Sequence, residues 1–378
     1  MQCSLYFKKE QRLEMNDINL KVWNTFGEKD PFNNNFVEGY ICRESTDIYG
    51  ALYIEKVNGD KCPQLIHCTP KLHYPFDKNG NWRFPKAKRI ERYTKYDGTN
   101  IFSYFYKDAK GKDYLAYKTR LNPYIKNSRF GPFCDMWNEL LKAKPHIESF
   151  ARKTRLHASY EMWGARNKHL IEYDIPLSAS LLFVRDGQKL KTPMGLDFPE
   201  EDKASFFGII DKDYIHNYQL AQKEVGDKLI QTEDGYKGDE GEVWWLEDIN
   251  GIWMPFKCKP TQIEAIHWAA GGINKNIIIA TCQNAFENWD EPSKENVTQL
   301  LLEEFDQFAI DKVSELIVEC LKKVKFDNEF KVNVLEEYSK LGLNILEQKS
   351  EVMRALSPKF KKDQMKKVYT ILWSHIGK

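Results

Sequence analysis

Around Pro260 the hydrophobic period of the chain changes, and that change constrains the fold more than any other feature. Before it, apolar and aromatic residues come in short runs bounded by Gly, Pro, Asn or Asp: ALYIEKV (51–57), NIFSYFY (100–106), YLAYKTR (114–120), LHASYEMW (156–163), SLLFVRD (180–186), EVWWLED (242–248) and GIWMPFK (251–257). Such runs read as strands, and the Asn-Gly at 58–59 as a hairpin turn. After it, VTQLLLEEFDQFAIDKVSELIVECLKKVK (297–325) sets Leu301, Phe305, Phe308, Val313, Leu316, Ile317, Cys320 and Leu321 near helical spacing. A second helical stretch covers 332–348, and Ser357-Pro358 reads as the N-cap and first turn of a last helix. The expectation is an α+β chain. Antiparallel β-sheets and helices fill 1–260, divided into a β-rich portion (1–90) and a motif-bearing core (91–260), and an all-helical C-terminal domain fills 261–378.

Charge narrows what such a chain can do. The 56 Lys and Arg balance 55 Asp and Glu, for a formal charge of +1, so a uniformly basic nucleic-acid coat is excluded and any polyanion site must be local. No apolar run approaches the ~18–20 residues that span a bilayer, and MQCSLYFKKEQ lacks the apolar core of a signal peptide. A soluble cytoplasmic protein without a membrane partner is expected, in the host cytoplasm if a virus encodes it. Eight scattered cysteines are too sparse for a disulfide framework, so reduced thiols are expected.

The chemistry concentrates on Lys95-Tyr96-Asp97-Gly98, which leads into the strand NIFSYFY. Asp-Gly is also ordinary turn chemistry, so the weight falls on the order of the segments downstream. Glu161 lies in ASYEMWG, Phe183 in SLLFVRD, Glu240-Gly241-Glu242-Val243 opens another strand, and Lys257-Cys258-Lys259 closes the next. Alternation along a strand points Lys257 and Lys259 to one face and Cys258 to the other, and the same reasoning places Lys118 and Arg120 together. A lysine that attacks phosphorus must be neutral, whereas free lysine titrates near ~10.4, so neighbouring cations and a bound metal have to favour the amine. Lys257 and Lys259 can supply that field and neutralise a phosphate. Asp97 and Glu240 are hard oxygen donors for Mg²⁺, Glu161 an acceptor for ribose hydroxyls, and Phe183 a stacking plane for a base.

In this order the segments resemble the covalent nucleotidyltransferases, which comprise ATP-dependent RNA and DNA ligases and mRNA capping enzymes; the resemblance spans residues 93–259. It implies a ligase-type nucleotidyltransferase fold in which Lys95 takes AMP from ATP as a lysyl-AMP phosphoramidate. Thr94, Gly98, Asn100 and Arg120 then contact the nucleotide, Glu161 the ribose, Phe183 the adenine, and Lys257 and Lys259 the phosphate. Mg²⁺ or Mn²⁺ sits on Asp97 and Glu240, directly or through water. The 119 residues after Lys259 read as helices, and Asn167, Leu170, Ile171 and Tyr173 occupy places resembling those of phage RNA ligases, a branch that includes tRNA-repair enzymes. That branch implies RNA partners with 5′-phosphate and 3′-hydroxyl ends, tRNA among them, and leaves the oligomeric state open. Arg43 and Arg120 are its candidates for the triphosphate tail. Two alternatives stay open: a capping-type guanylyltransferase, and a catalytically inactive nucleic-acid-binding relative.

Other features carry two readings each. Arg83, Lys86, Lys88, Arg89, Arg92 and Lys95, opposed only by Glu91, are a phosphate track or a solvated face. Arg354, Lys359, Lys361, Lys362, Lys366 and Lys367 are an RNA-stem grip or an exposed amphipathic helix. Cys62, His67, Cys68 and His73 invite a metal, but adjacent residues of a strand point apart, and a buried or half-buried strand is preferred. His157 and His169 are candidate bases or exposed strand-end residues, and Trp244, Trp245 and Trp253 are expected to pack rather than stack on a nucleic acid.

Overall fold

Strand formation follows the alternation, and turn residues decide which strands meet. In the computed structural model, which describes residues 20, 23–43, 48–77, 80–127, 132–232, 236–260, 273, 275–302, 305 and 307–376, the chain begins with an antiparallel sheet of four strands. These are β1 (Asn24–Lys29), β2 (Phe36–Ile41), β3 (Leu52–Val57) and β4 (Asp60–Ile66), paired in chain order. Asn58 and Gly59, with φ of +54° and +87°, form the two-residue turn from β3 to β4, whose positive φ values suit Asn-Gly. The N-terminal MQCSLYFKKEQ with its Cys3 lies outside the described residues, as does the Phe308 side chain.

Two further sheets face each other. One holds β6 (Thr99–Lys107), β7 (Asp113–Lys118), β8 (His157–Trp163), β9 (Ser178–Asp186) and β10 (Lys189–Lys191), in the order β10-β9-β8-β6-β7. The other holds β5 (Ala87–Lys95), β11 (Phe206–Ile210), β14 (Gly241–Asp248) and β15 (Trp253–Cys258), in the order β11-β5-β14-β15. A short pair, β12 (Ile230–Gln231) and β13 (Tyr236–Lys237), lies apart. Period-2 alternation sends Tyr93 and Trp245 inward against Phe102, Tyr104 and Phe183 of the opposing sheet. It sends Ile90, Trp244 and Leu246 outward under α3 (Tyr214–Lys228), where Tyr218 and Cys258 join them. Helices α1 (Phe133–Ala143) and α2 (His146–Thr154) cover the outer face of the five-stranded sheet, burying Trp137, Leu140 and Phe150 on Tyr160 and Leu181. Each such side chain contributes about 1.5–3 kcal/mol of burial. The strand pattern did not anticipate α1, α2 or α3.

Helices follow from Lys275 onward: α4 (Lys275–Asn288), α5 (Lys294–Leu301), α6 (Gln307–Lys312), α7 (Ser314–Ser339), α8 (Lys349–Leu356) and α9 (Met365–Ile376). The chain is thus α+β, with antiparallel sheets and a helical C-terminal region. The run at 297–325 is three helices rather than one, and the stretch at 332–348 begins inside α7 and leaves it at Ser339. Ser357-Pro358 closes α8 instead of opening α9. The Ser357 amide still donates to Met353 O, and Pro358 has no amide to continue the ladder. Ile278, Cys282 and Phe286 of α4 pack with Val297 and Ile317, and the same cluster takes in Tyr49 and Leu121 of the β-rich part. Among the described residues no helix is long and apolar enough to cross a membrane, and none of the described cysteines forms a disulfide.

Four cations of the basic run before Lys95 are paired with carboxylates. Arg83 pairs with Asp77; Lys88 and Arg89 pair with Glu247 at 3.4 and 2.9 Å; Arg92 makes a two-pronged bond to Glu242 at 2.7 and 2.8 Å. Cations of β5 are therefore matched across the ladder by carboxylates of β14. In the tail, Lys359 and Lys367 pair with Glu337 and Asp327 of α7. Glu242 is 3% exposed and also accepts Trp244 Nε1, so removing its partner strands a buried charge. Arg92→Met should cost about 3 kcal/mol in urea unfolding, while Lys88→Met, at an exposed pair, should stay within about 0.5 kcal/mol of the wild type.

Candidate active site

β5 ends at Lys95 and β6 begins at Thr99, so Tyr96-Asp97-Gly98 carries the chain from one facing sheet to the other. The passage is tight: a Cβ on Gly98 would lie 2.2 Å from Met162 O of β8, a contact with backbone that cannot yield. Asp97 braces the turn. Its Oδ2 accepts the amides of Leu170 and Ile171 at 2.6 and 2.7 Å, and its own amide donates to Tyr173 Oη at 2.9 Å. Asn167 Nδ2 donates to Met162 O and to Thr99 Oγ1 at 2.7 and 2.9 Å. The four residues singled out between Glu161 and Phe183 thus hold the Lys95 turn from behind.

Thr94, Lys95, Asp97, Gly98, Asn100, Arg120, Glu161, Phe183, Glu240, Lys257 and Lys259 all line one cavity of about 340 Å³. Lys95 Nζ donates to Glu240 Oε2, and Lys259 Nζ lies 3.1 Å from Oε1, so one carboxylate bridges the lysine that ends β5 and the lysine that follows β15. Burial works to raise the Glu240 pKa, but Lys95 and Lys259 outweigh it and hold the group below the usual carboxylate range. Glu161 has no such partner. Burial, then the neighbouring Glu240 and Asp97 charges against the pull of Lys95, push it up to about 7. Asp97 is raised as well, by burial first and Glu240 second. Lys257 Nζ sits 4.4 Å from the Tyr74 ring centroid, and its amide donates to His73 O. Phe183, 2% exposed, leans on Trp245 with centroids 5.4 Å apart and forms a wall. Asn100 Nδ2 donates to Ser159 Oγ and Tyr160 O, fixing it beside Glu161.

Among the described residues no cluster of three or more His, Cys, Asp or Glu encloses a metal position. The donor set nevertheless fits Mg²⁺ or Mn²⁺ in the way nucleotide enzymes hold it, on one or two carboxylates plus phosphate oxygens and water. Burial first, and the neighbouring carboxylates after it, raise Asp97 and Glu161, and a bound cation would offset both effects. Asp97 commits one oxygen to two backbone amides and Glu240 both of its oxygens to Lys95 and Lys259, which leaves Glu161 as the freest donor to such an ion.

Several expectations are corrected. β7 stops at Lys118, so alternation does not extend to Arg120. Lys118 is wholly buried, donating to the carbonyls of Gly50, Thr119 and Arg120, and burial lowers its pKa. Arg120 reaches the cavity, its guanidinium 5.7 Å from the Tyr49 ring centroid. Arg43 does not; it donates to Leu121 O and lies over Trp289 of the helical region. Cys68 meets Lys118 Nζ at 3.3 Å, and burial followed by Arg185 lowers His67 to about 4, so the Cys-His quartet builds no metal cage. His157 is lowered to about 4 by burial and Arg185. His169 is ion-paired and not exposed. Burial opposes its charge, but Glu287 raises it to about 9. Cys258 and Trp244 are core, as expected, and Trp253 packs beneath Arg89.

One contribution escaped the sequence. Helix α4 lends Thr281, Asn284 and Glu287 to the cavity wall while burying Ile278, Cys282 and Phe286. Thr281, Asn284 and Glu287 recur at a three-residue spacing, but other polar residues of the helix, such as Gln283 and Asn288, leave that pattern without a local mark.

No family model matches the chain, and no curated protein matches it. Among solved structures, an archaeal ATP-dependent RNA ligase in two forms is similar. Form 1 is 15% identical, with 88% of this chain and 83% of that one covered and a TM-score of 0.44. Form 2 is 14% identical, with 80% and 74% covered and a TM-score of 0.41. A Naegleria gruberi RNA ligase with pyrophosphate is 14% identical over 48% of this chain and 52% of that one, with a TM-score of 0.32.

The titration of Glu161 has a measurable sign. Its native pKa near 7 lies above the ordinary 4.5, so between those values the native state keeps a proton that the unfolded chain has lost, and stability falls as pH rises through the window. Between pH 5 and pH 8 the wild type should lose up to about 3 kcal/mol that Glu161→Gln does not lose, read from urea midpoints at the two pH values.

Proposed function

We propose that the protein is an ATP-dependent RNA ligase of the covalent nucleotidyltransferase type, with residues 1–260 as adenylyltransferase and 261–378 as a helical domain of the phage, tRNA-repair kind. One observation carries the reading: Lys95, Glu161, Phe183, Glu240, Lys257 and Lys259, scattered over five strands and the segments next to them, line one cavity around the Lys95–Glu240–Lys259 bridge. A nucleophile, a ribose acceptor, a base wall and phosphate cations are what nucleotidyl transfer to a lysine needs.

In the proposed first step the neutral Lys95 amine attacks the α-phosphorus of ATP. A nitrogen–phosphorus bond forms, the bond to the β-phosphate oxygen breaks and pyrophosphate departs. The amine's proton leaves by way of Glu240, which already accepts it in a hydrogen bond. Lys257, Lys259 and Arg120 offset charge on the phosphates, Phe183 walls the base, and Glu161 with Asn100 beside it takes the ribose. In the second step AMP passes to an RNA 5′-phosphate and frees Lys95. In the third a 3′-hydroxyl attacks that activated end, forms the phosphodiester and releases AMP. Mg²⁺ or Mn²⁺, when bound, screens the phosphate charge. RNA ends, tRNA among them, are the proposed partners, and the cytoplasm the proposed location.

Incubation with α-labelled ATP and a divalent cation, followed by denaturation, tests the reading. Label should appear on the protein and vanish in Lys95→Ala, and Lys259→Ala should slow labelling by about 10²-fold. Phe183→Ala should act mainly on half-saturating ATP, by about tenfold. Labelling by GTP alone would move the assignment to capping chemistry, and end-joining from ATP by Lys95→Ala would exclude the mechanism.

A further inference from the structure

The helical region reaches into the site at one charged point. Glu287, near the C-terminal end of α4, accepts Thr99 Oγ1 at 2.8 Å and pairs with His169 Nε2 at 2.8 Å; the Glu287 and His169 side chains are 7% and 8% exposed. Each contact lands on a strut of the Lys95 turn. Thr99 is the first residue of β6, directly after Gly98, and also holds Asn167. His169 precedes Leu170 and Ile171, whose amides clamp Asp97. Asn122, two residues beyond Arg120, donates to the carbonyls of Glu287 and Asn288 at 3.5 and 3.2 Å, so the docked helix end also touches the loop that brings Arg120 to the cavity.

A buried carboxylate and imidazolium persist only as a pair, because either alone loses its hydration without compensation. The helix therefore cannot leave the core without exposing or neutralising both groups. When it leaves, Thr99 loses the shorter of its two acceptors, keeping Asn167 Oδ1 at 3.2 Å, and the His169 segment loses its anchor.

We propose that Glu287 is a positioning residue for the Lys95 turn, so that the nucleotide site is complete only with α4 docked and the helical region is a working part of the first half-reaction. This rests on the proposed ligase reading for its activity readout. Its structural readout, the mobility of the turn, does not.

Full-length Glu287→Gln, Glu287→Asp, His169→Gln and the double variant Glu287→Gln/His169→Gln are compared with the wild type. Glu291→Gln, at an exposed pair with Lys325, is the control. Single-turnover lysyl-AMP formation is measured per titrated active site, and amide hydrogen exchange is followed at Asp97, Leu170 and Ile171. Glu287→Gln should slow labelling by about tenfold or more with half-saturating ATP changed less than about threefold. Glu287→Asp should recover part of the rate, and the double variant should be no slower than the worse single one. The three amides should exchange about tenfold faster while those of β14 and β15 keep their protection. Wild-type rates and exchange in both Glu287→Gln and His169→Gln would overturn the proposal. So would a uniform loss of protection across the molecule, or a fall only in the fraction of active sites. A variant that fails to fold leaves Glu287→Asp and His169→Gln to decide. If the wild type takes no label from ATP, the ligase reading falls and the exchange data alone decide the brace.

Discussion

The buried carboxylate of Glu240 is the interaction on which the site depends. It precedes β14, while its two lysine partners come from the end of β5 and the residue after β15. Gly241, at φ +154°, pairs with Lys95, and a Cβ there would meet Cys258 O at 2.3 Å, so the three chain segments converge as closely as backbone allows. In that space an unpaired carboxylate would take up a proton, as Glu161 tends to do. Two lysines keep Glu240 ionised instead. The same contact orients the Lys95 side chain and gathers positive charge on one side of the cavity.

Around this bridge the protein spends carboxylates in different ways. Glu242 and Glu247 neutralise the cations of β5 on the ladder and are structural. Asp97 lies two residues from Lys95 yet turns one oxygen to backbone amides, so its first task is to hold the turn open. Glu161 has only a long 3.5 Å approach from Asn100 and stays available to a ligand. A residue's place in a motif thus does not settle its work; the hydrogen bonds already spent on each oxygen do.

These distinctions mark what was legible in the sequence. Every strand named from alternation is present within a residue or two at its ends, because period-2 patterns with turn residues report a local constraint. The Asn58-Gly59 turn was readable for the same reason. Lys257 and Lys259 reach one cavity as alternation suggested, although β15 ends at Cys258, and the same argument failed at Arg120, two residues past the end of β7. β5 itself was hidden. Its Arg and Lys residues looked solvated, since their partners Glu242 and Glu247 lie about 150 residues onward and no local rule pairs them. The helices α1 and α2 were masked by brevity, each bounded by proline and carrying only a few core side chains.

Helix α4 illustrates the harder limit. Its apolar face is a helical signal, but nothing local in Thr281, Asn284 or Glu287 says that they face a cavity built by strands far earlier in the chain. The information lies in a pairing of charge and burial: the Glu287 and His169 side chains are 7% and 8% exposed, and His169 stays protonated against its burial because Glu287 faces it. Each makes sense only with the other, and their contact makes a sheet-built pocket and a helix-built domain one site. Two isolated charged residues that seem misplaced in their own segments are, in such a fold, the trace of an interface that neither segment encodes by itself.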